Sequence, residues 1–347
     1  MRQGAGMTGR SWASRSAPTG WLLSTVLLVG LSASCSDAEP RADSDESPAP
    51  TPSTPTTGSA TRHEAVIATV TTGAGPIFLS ATDRAVWVEL HRENKVARID
   101  PETNEQAEVL EVPVHCEIAA AKGSVWATYH AEGLVTRFDV ATGEIVQQVP
   151  VPGACGIGVD GDSAWISSPD SGTLYRVVEG RSAPAESFPI GEAPFAVLPA
   201  EAFVWVLSEA DGGVLRRMDR VTHKVKTVAR LPLADQAMLA FGHLWVTARD
   251  GGHLWQLDPT TGRVLAERKM SMPTGMVRHG NWIWVTSQYG SVTAINPKTL
   301  KTVATADTGY RVLGPPVFAF GSLWTSALDE NLVLRVDVAR IRKLTGR

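Results

Sequence analysis

Apolar residues in this chain fall in short runs rich in Val, Ile, Leu and Trp, broken by Gly, Pro, Asp and Asn. Runs of that kind read as strands, and the 3.6-residue spacing of an amphipathic helix is scarce. The pattern also repeats. Residues 238–265, MLAFGHLWVTARDGGHLWQLDPTTGRVL, hold a strand, a small turn, a second strand carrying Trp245 and a polar loop. A further strand then ends in Leu257-Asp258-Pro259, followed by a Thr261-Gly262 turn. The same tryptophan slot recurs at Trp87, Trp126, Trp165, Trp205, Trp245, Trp284 and Trp324, at spacings of 39, 39, 40, 40, 39 and 40 residues.

In the first copy the pattern predicts strands over 76–79, 85–88 and 96–100, and a weaker fourth over 106–112. Four antiparallel strands in about 40 residues is the signature of a propeller blade. One such sheet has two faces to cover, so blades must stack in a ring, and the repeated Trp is expected between neighbours. The third strand ends in Asp or Asn at Asp100, Asp139, Asp219, Asp258, Asn296 and Asp337, which is turn chemistry rather than a catalytic row. Copy three, with Arg176-Val177-Val178 at that point, departs from the rule. After Asp337 only a short basic tail remains, a poor fourth strand, while residues 63–70 read as a fourth strand with no preceding three. The expected fold is therefore all-β: a seven-bladed β-propeller of four-stranded antiparallel blades, its ring closed by the N-terminal strand completing the last blade.

The front of the chain is different. Arg2, Arg10 and Arg15 precede an apolar stretch over 21–31, which is too short for a comfortable membrane span of about 20 residues. Leu31-Ser32-Ala33-Ser34-Cys35 resembles a bacterial lipobox, so residues 1–35 are expected to be a lipoprotein signal ending at a lipidated Cys35. A plain secretory signal cut elsewhere, or a retained anchor, are the alternatives. Residues 36–62 are rich in Asp and Ser, then Pro and Thr, with almost nothing apolar to offset the entropy of ordering. They are expected to be a disordered spacer, leaving 63–347 as the propeller. The chain would then be exported and held on the outer face of the bacterial cell membrane by the lipid alone.

A net charge of −4 with no clustered basic face argues against a nucleic-acid partner. Of the three cysteines, Cys116 and Cys155 each lie ten residues before a repeat tryptophan, so they hold the same position in consecutive blades. An exported protein tolerates disulfides, and a Cys116–Cys155 bridge is expected; the rival is a thiol or metal site that includes His115. Loops after the Trp strand and loops leading into the first strand converge on one face. That face is expected to carry His91, His115, Glu117, Tyr129, His130, Gln236, Gln288, Tyr289, Tyr310 and Arg311 around the channel mouth, with Glu192 and Asp235 beside them. His91 and His130 each follow a repeat Trp by four residues, which makes them neighbours in adjacent blades. Solvated loop histidines are the plainer reading of them. Nucleophile-elbow, zinc-protease, P-loop and dinucleotide fingerprints are absent in the required context.

The repeated pattern, seen as Val86-Trp87-Val88 with Arg98-Ile99-Asp100-Pro101, and as Leu244-Trp245-Val246 with Leu257-Asp258-Pro259-Thr260-Thr261-Gly262, resembles the YncE-like (YVTN-type) β-propellers. That resemblance implies the fold and leaves activity open. The streptogramin (virginiamycin B) lyases are distantly similar and use His and Glu with Mg near the channel mouth. Their repeats tend to carry Glu three residues after the Trp, where this chain has Leu90, Tyr129, Ser168, Ser208, Ala248, Ser287 and Ala327. His115-Cys116-Glu117-Ile118 is a loose echo of their Pro-His-Gly-Ile segment. The expected function is thus a non-enzymatic binding module, monomeric and without cofactor or metal. Its ligand, a small molecule or an envelope protein, would sit at the channel mouth. A lyase or hydrolase of the streptogramin-lyase type is the alternative.

Overall fold

Twenty-eight strands form seven four-stranded antiparallel sheets in this computed structural model, which describes residues 64–121 and 123–344. The signal, the spacer and Cys35 lie outside the described residues. Blade 1 is built from Pro76–Ala81, Val86–Leu90, Lys95–Asp100 and Glu105–Leu110, so its strands extend a little beyond the runs the pattern marks. The ring closes in blade 7. There Val317–Ala319, Ser322–Ala327 and Leu332–Val336 are completed by the N-terminal strand Val66–Thr71, which pairs with the third strand from Val66↔Val336 to Thr71↔Leu332.

Blades 2 to 6 follow in chain order over residues 118–150, 157–189, 194–230, 236–269 and 273–307, and every repeat tryptophan is between 0 and 3% exposed. Each packs across to the following blade: Trp87 meets Phe138 of blade 2 edge-on at 5.2 Å, and Trp324 of blade 7 shares a cluster with Val86 and Val88 of blade 1. The arginine that precedes the third-strand turn has a matching role. Arg137, Arg176, Arg217 and Arg335 pair in register with the tryptophans of their own blades. Their guanidinium carbons lie 5.8, 5.8, 5.9 and 4.9 Å from the ring centroids, a cation–π cover over each indole.

The recurrent acidic residue does what turn chemistry requires. Asp258 Oδ1 accepts the N–H groups of Thr260 and Thr261 at 2.9 and 2.7 Å, and Asp100, Asp139, Asp219 and Asn296 do the same. These backbone bonds hold the carboxyls of Asp139, Asp219 and Asp258 below the usual range. Asp337 uses the same bonds to Ala339 and Arg340 differently, opening a helix over Val338–Leu344. Residues 338–344 of the basic tail thus form a helix rather than a fourth strand: Asp337 caps its start and Arg342 and Lys343 suit its last turn. Ile341, fully buried, anchors it in the core that contains Ala65. Among the described residues no helix is long and apolar enough to cross a membrane.

Candidate functional site

Two positions per blade shape the channel mouth: the residue two after the repeat Trp, and the residue ten before it. In blades with a hydroxyl at the first position, that hydroxyl donates to the backbone carbonyl at the second position of the next blade. Thr128 Oγ1 bonds Cys155 O at 2.5 Å, Ser167 Oγ bonds Phe195 O at 2.6 Å, Thr286 Oγ1 bonds Gly314 O at 3.0 Å, and Ser326 Oγ bonds Ile77 O at 2.8 Å. The ring is therefore stitched at its rim by buried side chains. Blade 5 diverts its Thr247 hydroxyl to Asp235 Oδ1 of its own blade, at 3.0 Å.

Blade 1 breaks the series with Glu89. Its side chain is fully buried, its Oε1 lies 3.0 Å from His91 Nδ1, and its Oε2 has no hydrogen-bond partner. Loss of water raises the carboxyl above its ordinary value, against the pull of His91 and of the Phe78 backbone. The His91 ring stacks on His115 at 4.0 Å, and His115 Nδ1 lies 2.9 Å from Asn94 Oδ1. Desolvation and the nearby His91 push the His115 imidazole down. Tyr129 meets His115 edge-on at 6.5 Å.

The disulfide is present: Cys116 and Cys155 join blades 2 and 3 with their Cα atoms 5.1 Å apart. Glu117, the next residue, reaches across the same junction, its Oε2 accepting the Ile157 N–H at 2.9 Å. It lines the channel rather than the mouth, in a cavity of about 310 Å3 bounded by inner strands of blades 1 to 5. Although the residue keeps some contact with the channel, its carboxyl is enclosed deeply enough that desolvation raises it to about 7, with Ile157 lowering and Glu89 adding to the rise. A carboxyl that titrates near neutrality can either give or take a proton at physiological pH.

A second cavity, of about 230 Å3, opens at the mouth, walled from blades 1 and 4 to 7. Its apolar wall comes from Phe78, Phe195, Leu313, Pro315 and Leu328, and Asp235, Gln236, Gln288, Glu209 and Arg249 supply its charged and amide groups. Pro315 and Pro316 help open it, because residues without an N–H cannot extend the inner strand. Blade 7 is left with only Val317–Ala319 and an isolated Leu313↔Ala327 bridge. Burial raises the Asp235 carboxyl to about 7, opposed by the Thr247 hydroxyl and by Arg249.

The residues singled out from sequence are thus divided. Gln236 and Gln288 reach the mouth cavity, and Gln236 also lines the channel. His91, His115 and Tyr129 form a separate group over blades 1 and 2. The two histidines four after a Trp are not partners: His91 joins His115 and Glu89, while His130 Nε2 lies 3.3 Å from Asp170 Oδ1 of blade 3. Tyr289 is exposed, Tyr310 packs against the blade 7 core, and Arg311 donates to the Tyr289 carbonyl at 2.9 Å. Among the described residues, no group of three or more His, Cys, Asp or Glu side chains is arranged to hold a metal ion. Glu89 was the residue to find. The positions two after each Trp read Glu89, Thr128, Ser167, Leu207, Thr247, Thr286 and Ser326, and a lone carboxylate in that column is the signal.

No protein-family model matches the chain, and no curated protein matches it by sequence. Solved structures do. The crystal structure of BamB from Moraxella catarrhalis is 15% identical with a TM-score of 0.55, over 75% of this chain and 83% of that one. The computationally designed Ika8 protein is 14% identical with a TM-score of 0.57, over 77% of this chain and 98% of that one. The likeness is one of fold. The particular resemblance to YncE-like propellers or to streptogramin lyases stays a reading of the sequence motifs.

Proposed function

We propose that this chain is a cell-envelope binding module, exported and tethered by a lipid on Cys35, whose ligand or protein partner occupies the channel mouth. The observation that carries the reading is the mouth cavity, a concave site with an apolar wall and a few convergent polar groups on a rigid ring. The Cys116–Cys155 disulfide supports an oxidising compartment such as the envelope. The propeller fold supports a binding role, since it presents loops from every blade to one face. Methyl NMR of the full chain titrated with fractionated envelope extract tests it. Shifts are expected at Val312, Leu313 and Leu328 around the cavity, and filling it with Gln288→Trp, at a half-buried lining position, removes them. Shifts confined to the exposed outer-strand residues Ile145 and Val146 would refute the mouth as the site. Intact mass of the membrane-extracted protein tests the anchor, with a diacyl- or triacylglyceryl mass on Cys35 expected.

A second reading, a lyase or hydrolase of the streptogramin-lyase type, draws support from the Glu89–His91–His115 group beside Glu117. Burial and stacking there set up acid–base groups that a passive rim would not need. Turnover of a streptogramin-type lactone that survives both His115→Ala and Glu117→Gln would remove it.

A further inference from the structure

Three side chains lining the mouth cavity carry charge or can acquire it: Asp235, Glu209 and Arg249. They are not equivalent. The Arg249 side chain is 51% exposed and its Nε lies 3.2 Å from the neighbouring Asp250 carboxylate, so its charge is largely met by that partner and by water. Glu209 stands exposed at the rim. Asp235 is set deeper and half-buried: the Thr247 hydroxyl donates to it, the backbone N–H groups of Gln236 and Arg249 and the more distant Arg249 charge favour its ionised form, and among the described residues no side-chain cation lies within ion-pair distance of it. The cavity thus holds more acid than its one arginine answers. Its remaining wall is aromatic and aliphatic, with neutral amides at Gln236 and Gln288.

We propose that the mouth cavity binds a small amphipathic amine, its ammonium group set against Asp235 with Glu209 at the rim, and its apolar body against Phe78, Phe195 and Leu313. The assignment rests on the mouth as the binding site and names the chemistry that fits it. An apolar cavity of about 150 Å3 holds a benzene ring. At about 230 Å3, this one takes a ring with a short aminoalkyl arm. A half-buried carboxylate with no cation in direct contact is incompletely compensated, and a ligand ammonium supplies that contact. The groups that face Asp235 are Thr247, Gln236 and Arg249 from its own blade, Glu209 and Phe195 from blade 4, and Thr274 and Gln288 from blade 6. Only Glu209 and Arg249 among these are charged. Because burial raises the Asp235 carboxyl to about 7, an ammonium that needs the ionised form binds more tightly as pH rises through neutrality.

The test is titration of the full chain in detergent with phenethylamine, 3-phenylpropan-1-ol and 3-phenylpropanoate, followed by methyl NMR and calorimetry. Phenethylamine is expected to shift the Leu313 and Leu328 methyls and to bind at least about tenfold more tightly than the alcohol, as a charge-assisted contact does over a neutral one. Its affinity should rise about tenfold from pH 6 to pH 8. Asp235→Asn keeps an oxygen for the Thr247 hydroxyl, so it should abolish both effects and leave the alcohol unchanged. Glu209→Gln, at the exposed rim, should weaken the amine by a few-fold at most. If the alcohol or the carboxylate binds at the mouth as well as the amine, the amine assignment fails and the cavity remains a ligand site. If none of the three moves those methyls, the amine assignment and the small-ligand reading of the cavity fail together.

Discussion

The rim over blades 1 to 3 and the rim over blades 5 to 7 are made from the same repeated backbone, yet they are chemically unlike. Across blades 6, 7 and 1, the junctions are closed by neutral hydroxyl-to-carbonyl bonds from Thr286 and Ser326, and the mouth cavity, walled also from blades 4 and 5, opens beside them. Across blades 1 to 3 the Thr128 hydroxyl makes the same bond to Cys155 O, but it is joined there by a buried carboxylate, Glu89, and by two covalently linked cysteines, with His91, His115 and Glu117 around them. The lesson is where a propeller can vary. The Trp slots and turn aspartates are held by packing and turn geometry, so chemistry is free to diverge only at the few rim positions those constraints leave open.

The comparison first predicts what must not differ between the two sides. Trp87→Ala in blade 1 and Trp284→Ala in blade 6 each remove a side chain no more than 1% exposed from a blade-to-blade core. Both should cost about 3–5 kcal/mol, seen as similarly lowered midpoints in chemical denaturation. A much smaller loss on one side would show that the blades are not equally packed. The disulfide should divide the two sides. Reduction, or paired Cys116→Ser and Cys155→Ser substitution, opens a cross-link spanning 39 residues and should cost about 3–4 kcal/mol in the chain-entropy account. Ligand binding at the mouth cavity should persist, and binding lost on reduction would join the two rims into one site.

How far the sequence reveals all this depends on whether a feature repeats. Trp87 through Trp324 recur at fixed phase because each must fill the same inter-blade space, so the period exposes both the blade count and the closure by Val66–Thr71. The aspartate of Asp258-Pro259 is equally legible, since an Asx turn needs that residue type locally. Cys116 and Cys155 are legible as a pair through their shared offset from the Trp. Glu89 shows only as the one carboxylate in the column two after each Trp, and the mouth cavity does not show at all, because it depends on which side chains separate blades bring to one point. Gln236 and Gln288 can be guessed from their loops, but Phe78 and Phe195 read as ordinary strand residues until the ring places them opposite one another. The His91–His115 stack is hidden for the same reason: the two lie at different offsets from their tryptophans, and only the twist between blades brings them together.

A smaller effect sharpens the contrast in charge. Glu117 titrates near 7 in the folded protein, above the usual carboxylate value, so folding favours its protonated form. The stability it contributes is fully present below the unfolded pKa, near 4.5, and is lost as pH rises through about 7. Glu117→Gln keeps an acceptor for the Ile157 N–H and removes the titration. The native protein should therefore lose on the order of 1–3 kcal/mol relative to the variant between pH 4 and pH 8, read from thermal midpoints across that range. Parallel curves for the two would mean that the carboxyl is well solvated, and would weaken the case for acid–base chemistry at this rim.

The smallest predicted difference concerns the hydroxyl stitches themselves. Ser326 and Thr128 are both fully buried, and each donates across a blade junction, to Ile77 O and to Cys155 O. Removing the Ser326 donor should cost about 0.5–1.5 kcal/mol, the net value of one such bond, and removing the Thr128 hydroxyl somewhat more, since it also accepts the Glu117 N–H at 3.1 Å. The junctions differ in what else holds them. Ile77 lines the mouth cavity, so in Ser326→Ala water can reach the freed carbonyl and the cost should fall at the lower end, with or without reductant. At the Thr128 junction the disulfide fixes the same Cys155 backbone, so Thr128→Val should cost less while the bridge is intact than once it is reduced. That makes the pair of changes non-additive by about 0.5–1 kcal/mol, measurable as a thermodynamic cycle of mutation and reduction. Strict additivity would mean that the covalent and hydrogen-bonded links act on separate parts of the rim, and that the blades 1 to 3 side is reinforced without being coupled.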